Sequence, residues 1–259
     1  MDTIIFDIET TSLDHNSSEI VEFCCGTMNN GEWNELYNSL HSSSEPISLD
    51  AMAVCHITND MIKGHPSFSD EKQTIVDILD RHKLKVAHYA SYDVGVLSRH
   101  GVKLDNVVCT FRMTKKLFPN LDSYKLSYLR YYFDLNVPEG IPFHRAYTDA
   151  MVTGVLFDHL LDVANKQHLF DSEGDLVEWL QQPIISDTMT FGKYKGCKMT
   201  EVPTDYWMWA LNNLQTLQED SPDFDRDFAA SVEKALEGRI YFLFSFFLWV
   251  SSSMMPTRC

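Results

Sequence analysis

A chain of 259 residues can bury one substantial core with a small appendage but hardly two full-sized domains. Its 44% hydrophobic and 12% aromatic content excludes a disordered chain. A formal net charge of −16 excludes a protein that coats nucleic acid by bulk electrostatics, while leaving room for an enzyme that grips a nucleic-acid end through metal ions and a local basic patch.

In chain order, Thr3-Ile4-Ile5-Phe6-Asp7-Ile8 predicts a buried strand with Asp7 near its end. A second strand is expected over Glu19 to Met28, a turn at Asn29-Asn30-Gly31 and a third strand over Glu32 to Leu40, together an antiparallel meander. Ser42 to Pro46 is loop. Lys72 to Arg81 has helical apolar spacing, and Leu84 to His88 is a compact strand. Helical patterns follow at Val94–Arg99, Thr110–Leu117, Lys125–Tyr132 and Thr148–Ala164. Strands first and strand-helix alternation afterwards imply an α/β chain with a mixed sheet and helices packed on it.

The composition changes after about Gln182, and the boundaries expected are a first domain at 1–182 and a small C-terminal module at 186–239. Within the module, Phe191-Gly192-Lys193-Tyr194-Lys195-Gly196 is a basic aromatic loop, and Tyr206–Leu214 and Phe228–Leu236 are helical. The loop either orders the module or touches nucleic acid. Residues 240–259 begin with the apolar run Ile240 to Val250, well short of the ~20 residues that cross a bilayer. It is either packed on the module or without function, and no membrane partner is expected. The six cysteines (Cys24, Cys25, Cys55, Cys109, Cys197 and Cys259) contain no CxxC pair and suit free thiols. Met1 is followed by an acid and a short apolar stretch with no basic region or cleavage site, so a signal peptide is not expected and a cytoplasmic location is.

Three short patterns carry chemistry. In Asp7-Ile8-Glu9, residues two apart on a strand point the same way, so both carboxylates lie on one side. Two such acids repel unless a cation lies between them, and Mg²⁺ favours oxygen ligands. Alone, the pattern also describes a solvated strand end. Asp93 follows a short apolar strand and opens a helical stretch, which equally fits a helix N-cap. His144 and Asp149, spaced His-x4-Asp, precede a long apolar helix and also read as a surface histidine and a capping acid.

In this order the three patterns resemble the DEDDh exonuclease family, with Asp7, Glu9, Asp93, His144 and Asp149 at its five active-site positions. The segments Pro46–Thr58, Cys109-Thr110, Lys115–Pro119 and Phe191–Gly196 are similar to its exodeoxyribonuclease branch, so the resemblance covers about residues 1–239. Tyr89 departs from it, because many members carry Asn after the histidine. The resemblance implies a ribonuclease H-like fold with a mixed five-stranded sheet flanked by helices and a small C-terminal module. It also implies two Mg²⁺ ions held by Asp7, Glu9, Asp93 and Asp149, with Mn²⁺ able to substitute, and His144 as general base. The expected reaction removes nucleoside 5′-monophosphates from the 3′ end of DNA, single-stranded or at a duplex terminus.

Substrate contacts are expected from the basic stretch Arg112 to Arg130, which holds Arg112, Lys115, Lys116, Lys125 and Arg130 against one acid, Asp122. Leu13 follows the Thr10-Thr11-Ser12 turn, where an apolar side chain can stack on a terminal base. Thr10 and Ile57 join Arg112, Lys115 and Lys116 as further candidates. An RNA-directed exonuclease on the same fold and a non-catalytic nucleic-acid-binding module are the alternatives. The oligomeric state, a homodimer included, is open.

Overall fold

Runs with β-branched residues form the first two strands, and a run without any forms the third, in a computed structural model that describes residues 1–14, 17–29, 31–138, 144–221 and 224–237. β1 (Thr3–Thr10), β2 (Ile20–Asn29) and β3 (Glu32–Leu40) are an antiparallel meander. Gly31, at φ 80°, turns the chain between β2 and β3, a conformation that glycine adopts without steric cost. Asn30 of the predicted turn, and the apolar tail from Ile240 on, lie outside the described residues. β4 (Leu84–Ala87) runs parallel to β1, and β5 (Val107–Cys109) parallel to β4, giving the order β3-β2-β1-β4-β5. Residue patterning does not predict β5, because a strand of three residues carries no usable period.

The chain divides into two compact units, Met1–Gln181 and Gln182–Cys259. In the first, α1 (Leu49–Cys55), α2 (Asn59–Ile62) and α3 (Phe68–Leu79) lead to β4, and α4 (Ser91–Arg99) follows it. α5 (Thr110–Leu117), α6 (Leu126–Tyr132), α7 (Ala146–Lys166) and α8 (Glu173–Gln181) come after β5. α1, α2 and α8 are short or weakly periodic, so patterning does not predict them. α3 starts at Phe68 rather than Lys72, because Ser67 and Asp70 form a reciprocal capping box.

The two faces of the sheet build separate cores. Ile4, Phe6 and Ile8 pack with Ile75, Leu79, Val96 and Leu97. Ile5, Cys24 and Val86 pack on the other face with Ala150, Leu156 and Phe157. Each large side chain buried this way contributes about 1.5–3 kcal/mol. α7 lies close on the sheet at Gly154, where a Cβ would come within 2.8 Å of Met28 Cε. That close approach brings the first turn of α7 to the end of β1.

The second unit encloses a small core of Met189, Met199, Val202, Trp207, Ala210 and Val232. Its helices are α9 (Thr204–Asn213) and α10 (Arg226–Leu236), the latter capped by Asp225, which accepts from the Asp227 and Phe228 N–H groups. Among the described residues no helix is long and apolar enough to cross a membrane, and Cys24, Cys25, Cys55, Cys109 and Cys197 are free thiols.

Candidate active site

The pleat of β1 puts Ile5, Asp7 and Glu9 on the α7 side of the sheet. Asp7 stands opposite Cys24 and Glu9 opposite Glu22, and the register shifts between Glu9 and Thr10, so a bulge ends the regular pairing beside the carboxylates. Asp149, in the first turn of α7, completes a group in which oxygens of Asp7, Glu9 and Asp149 all lie within 4.8 Å of one another. Asp93 is buried in the first turn of α4, immediately after β4. β1 and β4 are parallel neighbours, so the acids gather at the carboxyl ends of adjacent strands, where crevices form in α/β sheets.

Four acids here work against solvation. Burial, then the charges of Asp93, Asp149 and Glu9, holds Asp7 well above the usual carboxylate range. Burial followed by Asp149 and Glu22 lifts Glu9 to about 8. Burial raises Asp93 to about 7 against the stabilising N–H groups of Asp93 and Ile8. Burial raises Asp149 to about 7 as well, opposed by the backbone N–H of His144. Asp149 Oδ1 is buried with no hydrogen-bond partner. Clustered carboxylates with an orphaned oxygen fit the donor set that a divalent cation would take, and its charge would remove the repulsion.

His144 precedes α7 at φ 61°, a left-handed conformation uncommon for a residue with a side chain. Its Nδ1 lies 3.9 Å from Asp149 Oδ2, and 52% of the side chain is exposed. Desolvation, and then the charges of His56 and Lys125, push its proton affinity below the ordinary histidine value.

A fifth acid was not singled out by patterning. Glu22 is buried on β2 and accepts from Arg145 Nε at 3.1 Å on each oxygen, from Arg145 Nη2, and from the Ala146 N–H at 2.9 Å. The fork clamps β2 to the start of α7, between His144 and Asp149, and Glu22 raises the proton affinity of Arg145. The available signal was a lone acid inside the apolar run Ile20-Val21-Glu22-Phe23-Cys24, since a buried charge requires a partner. Glu22→Ala is expected to lose about 3 kcal/mol of stability, near the low end for a broken buried pair because Arg145 keeps 31% of its exposure. It is also expected to lower kcat by roughly 10–100-fold through misplacement of His144 and Asp149. Denaturant unfolding and steady-state kinetics check both, and wild-type kcat in the variant would mean that α7 is placed without the clamp.

The substrate-contact candidates have varied surroundings. Leu13 is 66% exposed, on a turn braced from below: Thr10 Oγ1 donates to Ser12 O at 2.8 Å and pairs with the Tyr92 hydroxyl at 2.6 Å. Thr10 is therefore buried and engaged. Ile57 is fully buried among Val21, Ile47 and Ala51, which gives it a packing role. Arg112 Nε donates to Leu180 O, tying α5 to α8. Lys115 Nζ lies 4.8 Å from the Phe111 ring and 5.5 Å from Tyr124, and Lys116 Nζ 5.0 Å from Trp179. Arg130 does not join a phosphate-facing row: it is buried and donates to Pro138 O.

His88 is partly buried, with Nδ1 on Thr110 Oγ1 and Nε2 on Tyr124 O, both at 2.9 Å. Burial lowers its proton affinity to about 4, so the ring is neutral and fastens β4 to α5 and to the segment before α6. Tyr89 has φ 58°, a left-handed conformation in which Asn is enriched and Tyr is uncommon. Its exposed ring meets Phe111 edge-on at 5.1 Å.

A family model described as Exonuclease matches residues 4–157. A second model, named for a quorum-sensing-regulated virulence factor, matches residues 178–213. The chain is 27% identical over 217 residues to Exodeoxyribonuclease 10 of Escherichia coli K12, covering 82% of this chain and 92% of that protein. It is 28% identical over 172 residues to the PolC-type DNA polymerase III of Halalkalibacterium halodurans, covering 64% of this chain but 12% of that protein. A solved structure of exonuclease X in complex with 5′ overhanging duplex DNA superposes with a TM-score of 0.56 at 27% identity, covering 69% of this chain and 99% of that one. With the acids gathered at the carboxyl ends of β1 and β4 and the model matched across the sheet and most of α7, the chain belongs to the exonuclease family and is a DEDDh 3′→5′ exonuclease.

Proposed function

We propose that this exonuclease acts on DNA, removing nucleoside 5′-monophosphates from a 3′ end with divalent cations bound at Asp7, Glu9, Asp93 and Asp149 and with His144 as general base. The observation that carries this reading is the set of Asp7, Glu9 and Asp149 oxygens within 4.8 Å of one another, a charge density that calls for a dication. Two Mg²⁺ ions bound there supply an acidified water and charge neutralisation at the leaving 3′ oxygen.

This chain's residues contribute the rest. With Nδ1 on the Asp149 side, His144 presents Nε2 to take the water's proton. A lowered proton affinity keeps that nitrogen unprotonated at neutral pH. Leu13, exposed beside the carboxylate strand, offers an apolar face to the terminal base. Lys115, held over Phe111 and Tyr124, offers a charge to the backbone. A DNA substrate is supported by the relatives, one an exodeoxyribonuclease by name and one seen bound to duplex DNA.

The test is to incubate the purified protein with 5′-labelled DNA and RNA of matched sequence, with Mg²⁺, Mn²⁺ or EDTA. DNA is expected to shorten stepwise from its 3′ end in either metal and to stay intact in EDTA. Cleavage that survives the chelator would overturn the metal site, and faster turnover of RNA would overturn the assignment of DNA.

A further inference from the structure

The Gln182–Cys259 unit plays no part in the chemistry derived above, yet it carries a built surface. Its basic loop is held by backbone hydrogen bonds. Gly192 and Gly196 adopt φ of 68° and 86°. Lys195 N donates to Gly192 O, Gly196 N to Met189 O and Cys197 N to Tyr194 O, at 3.2, 2.8 and 3.0 Å. The loop presents Tyr194 against Tyr206 of α9, with ring centroids 4.7 Å apart, and Tyr206 lies 5.6 Å from Trp209 one turn along. Lys193 Nζ is 5.3 Å from the centroid of Tyr194.

α9 uses its tryptophans differently. Trp207 is fully buried in the core, whereas Trp209 keeps 50% of its surface in water. Packing of the unit thus accounts for Trp207 and leaves Trp209 unexplained. Between Thr188 and Thr200 the chain has three lysines (193, 195 and 198) and no acid, a local reversal of sign in a chain of −16. One exposed ring, Trp209, next to the half-buried Tyr206 and Tyr194, with lysines at the edge, matches single-stranded nucleic acid, whose bases stack on rings and whose phosphates need cations. The exposed acids Glu201 and Asp205 border the strip and limit its charge.

We propose that the Tyr194–Tyr206–Trp209 strip is a second DNA-binding site, stacking bases of single-stranded DNA while Lys193 and Lys195 meet its phosphates. The proposal rests on the reading of DNA as the substrate. Because both sites belong to one chain, a strand held here raises the effective concentration of its end at the carboxylates. Long substrates then gain over short ones.

The full chain carrying Asp7→Asn, which prevents turnover, is titrated with fluorescent oligothymidylate of about 20 nucleotides, longer than the roughly 4–16 nucleotides a small single-strand binder covers. Adding Trp209→Ala is expected to raise Kd roughly 5–100-fold, the range measured for loss of one base stack, and Trp209→Phe to restore most of the affinity. Lys193→Glu with Lys195→Glu is expected to flatten the salt dependence by about 1.4 in log–log slope, two phosphates' worth. In the active protein, Trp209→Ala is expected to reduce the ratio of kcat/KM for the long strand to that for a tetranucleotide.

Trp209→Ala binding within twofold of its parent would overturn the proposal, most clearly if the wild-type chain degrades DNA normally. The same would follow if the variant changed the size-exclusion profile but not DNA affinity, which would make the strip a protein-binding face. A wild-type chain that leaves DNA intact but binds it in a Trp209-dependent way would uphold the strip and overturn the reading of the substrate.

Discussion

Asp7→Asn is expected to abolish cleavage while making the metal-free protein more stable. Asp7 sits at the centre of the acids, its carboxyl raised by burial first and by Asp93, Asp149 and Glu9 next. An amide of the same shape keeps the packing but removes one anionic ligand. Loss of several kcal/mol of Lewis-acid assistance corresponds to a fall in kcat of about 10³-fold or more. The stability effect runs the other way. Glu9 near 8, and Asp93 and Asp149 near 7, lie above the ~4 of an unfolded carboxylate.

Between pH 4 and pH 8, therefore, these acids bind more protons in the folded metal-free chain than in the unfolded one, and their contribution to stability falls as pH rises, against a smaller opposite contribution from His88. In EDTA the Tm is expected to drop from pH 5 to pH 8, to recover at pH 8 on adding Mg²⁺ or Mn²⁺, and to lie roughly 5–10 °C higher in Asp7→Asn than in the wild type at pH 8. Calorimetry at both pH values with and without metal measures all three. A wild-type Tm in EDTA that rises with pH would mean that the cluster does not repel as its geometry requires, and robust cleavage by Asp7→Asn would remove Asp7 from the metal site.

What patterning could read was whatever one element determines by itself. Asp7 and Glu9 lie on one face because a strand has a period of two, and the structure puts both on the α7 side. Asp93 and Asp149 each lie in the first turn of a helix near the expected place, but α4 and α7 start earlier, at Ser91 and Ala146, with Ala90 and Arg145 rather than the acids at the cap. Features that depend on two elements meeting were not legible. Glu22 matters only because β2 pairs with β1 and because Arg145 arrives from the start of α7, 123 positions away in sequence. The burial of Ile57 and Arg130 depends on neighbours that local sequence does not name. The bracing of Leu13 comes from Tyr92, 82 positions beyond Thr10, and no spacing rule reaches that far. β5 failed for the opposite reason: its three residues are too few to carry a pattern, and its place is fixed by pairing with β4.

Replacing His144, the proposed general base, is expected to separate chemistry from binding. The residue is half-exposed, held at a left-handed φ, and oriented with Nδ1 toward Asp149 rather than hydrogen-bonded into the core. A side chain with that freedom is suited to meet a water on the substrate rather than to support the fold. His144→Ala is therefore expected to leave Tm nearly unchanged and to lower kcat by roughly 10²–10⁴-fold, the range for removing a general base. Affinity for DNA measured with Ca²⁺ in place of Mg²⁺ is expected to change little. The pH profile supplies a second readout. Desolvation and the charges of His56 and Lys125 lower the proton affinity of His144. The acid limb of kcat, where the base becomes protonated as pH falls, is accordingly expected below the ordinary histidine value of ~6.5. That limb should disappear from the residual activity of His144→Ala. Lys125→Ala removes one of the charges holding the value down and is expected to move the limb upward. A His144→Ala enzyme with normal kcat and raised KM would make His144 a substrate contact, and the proton would then pass to another acceptor.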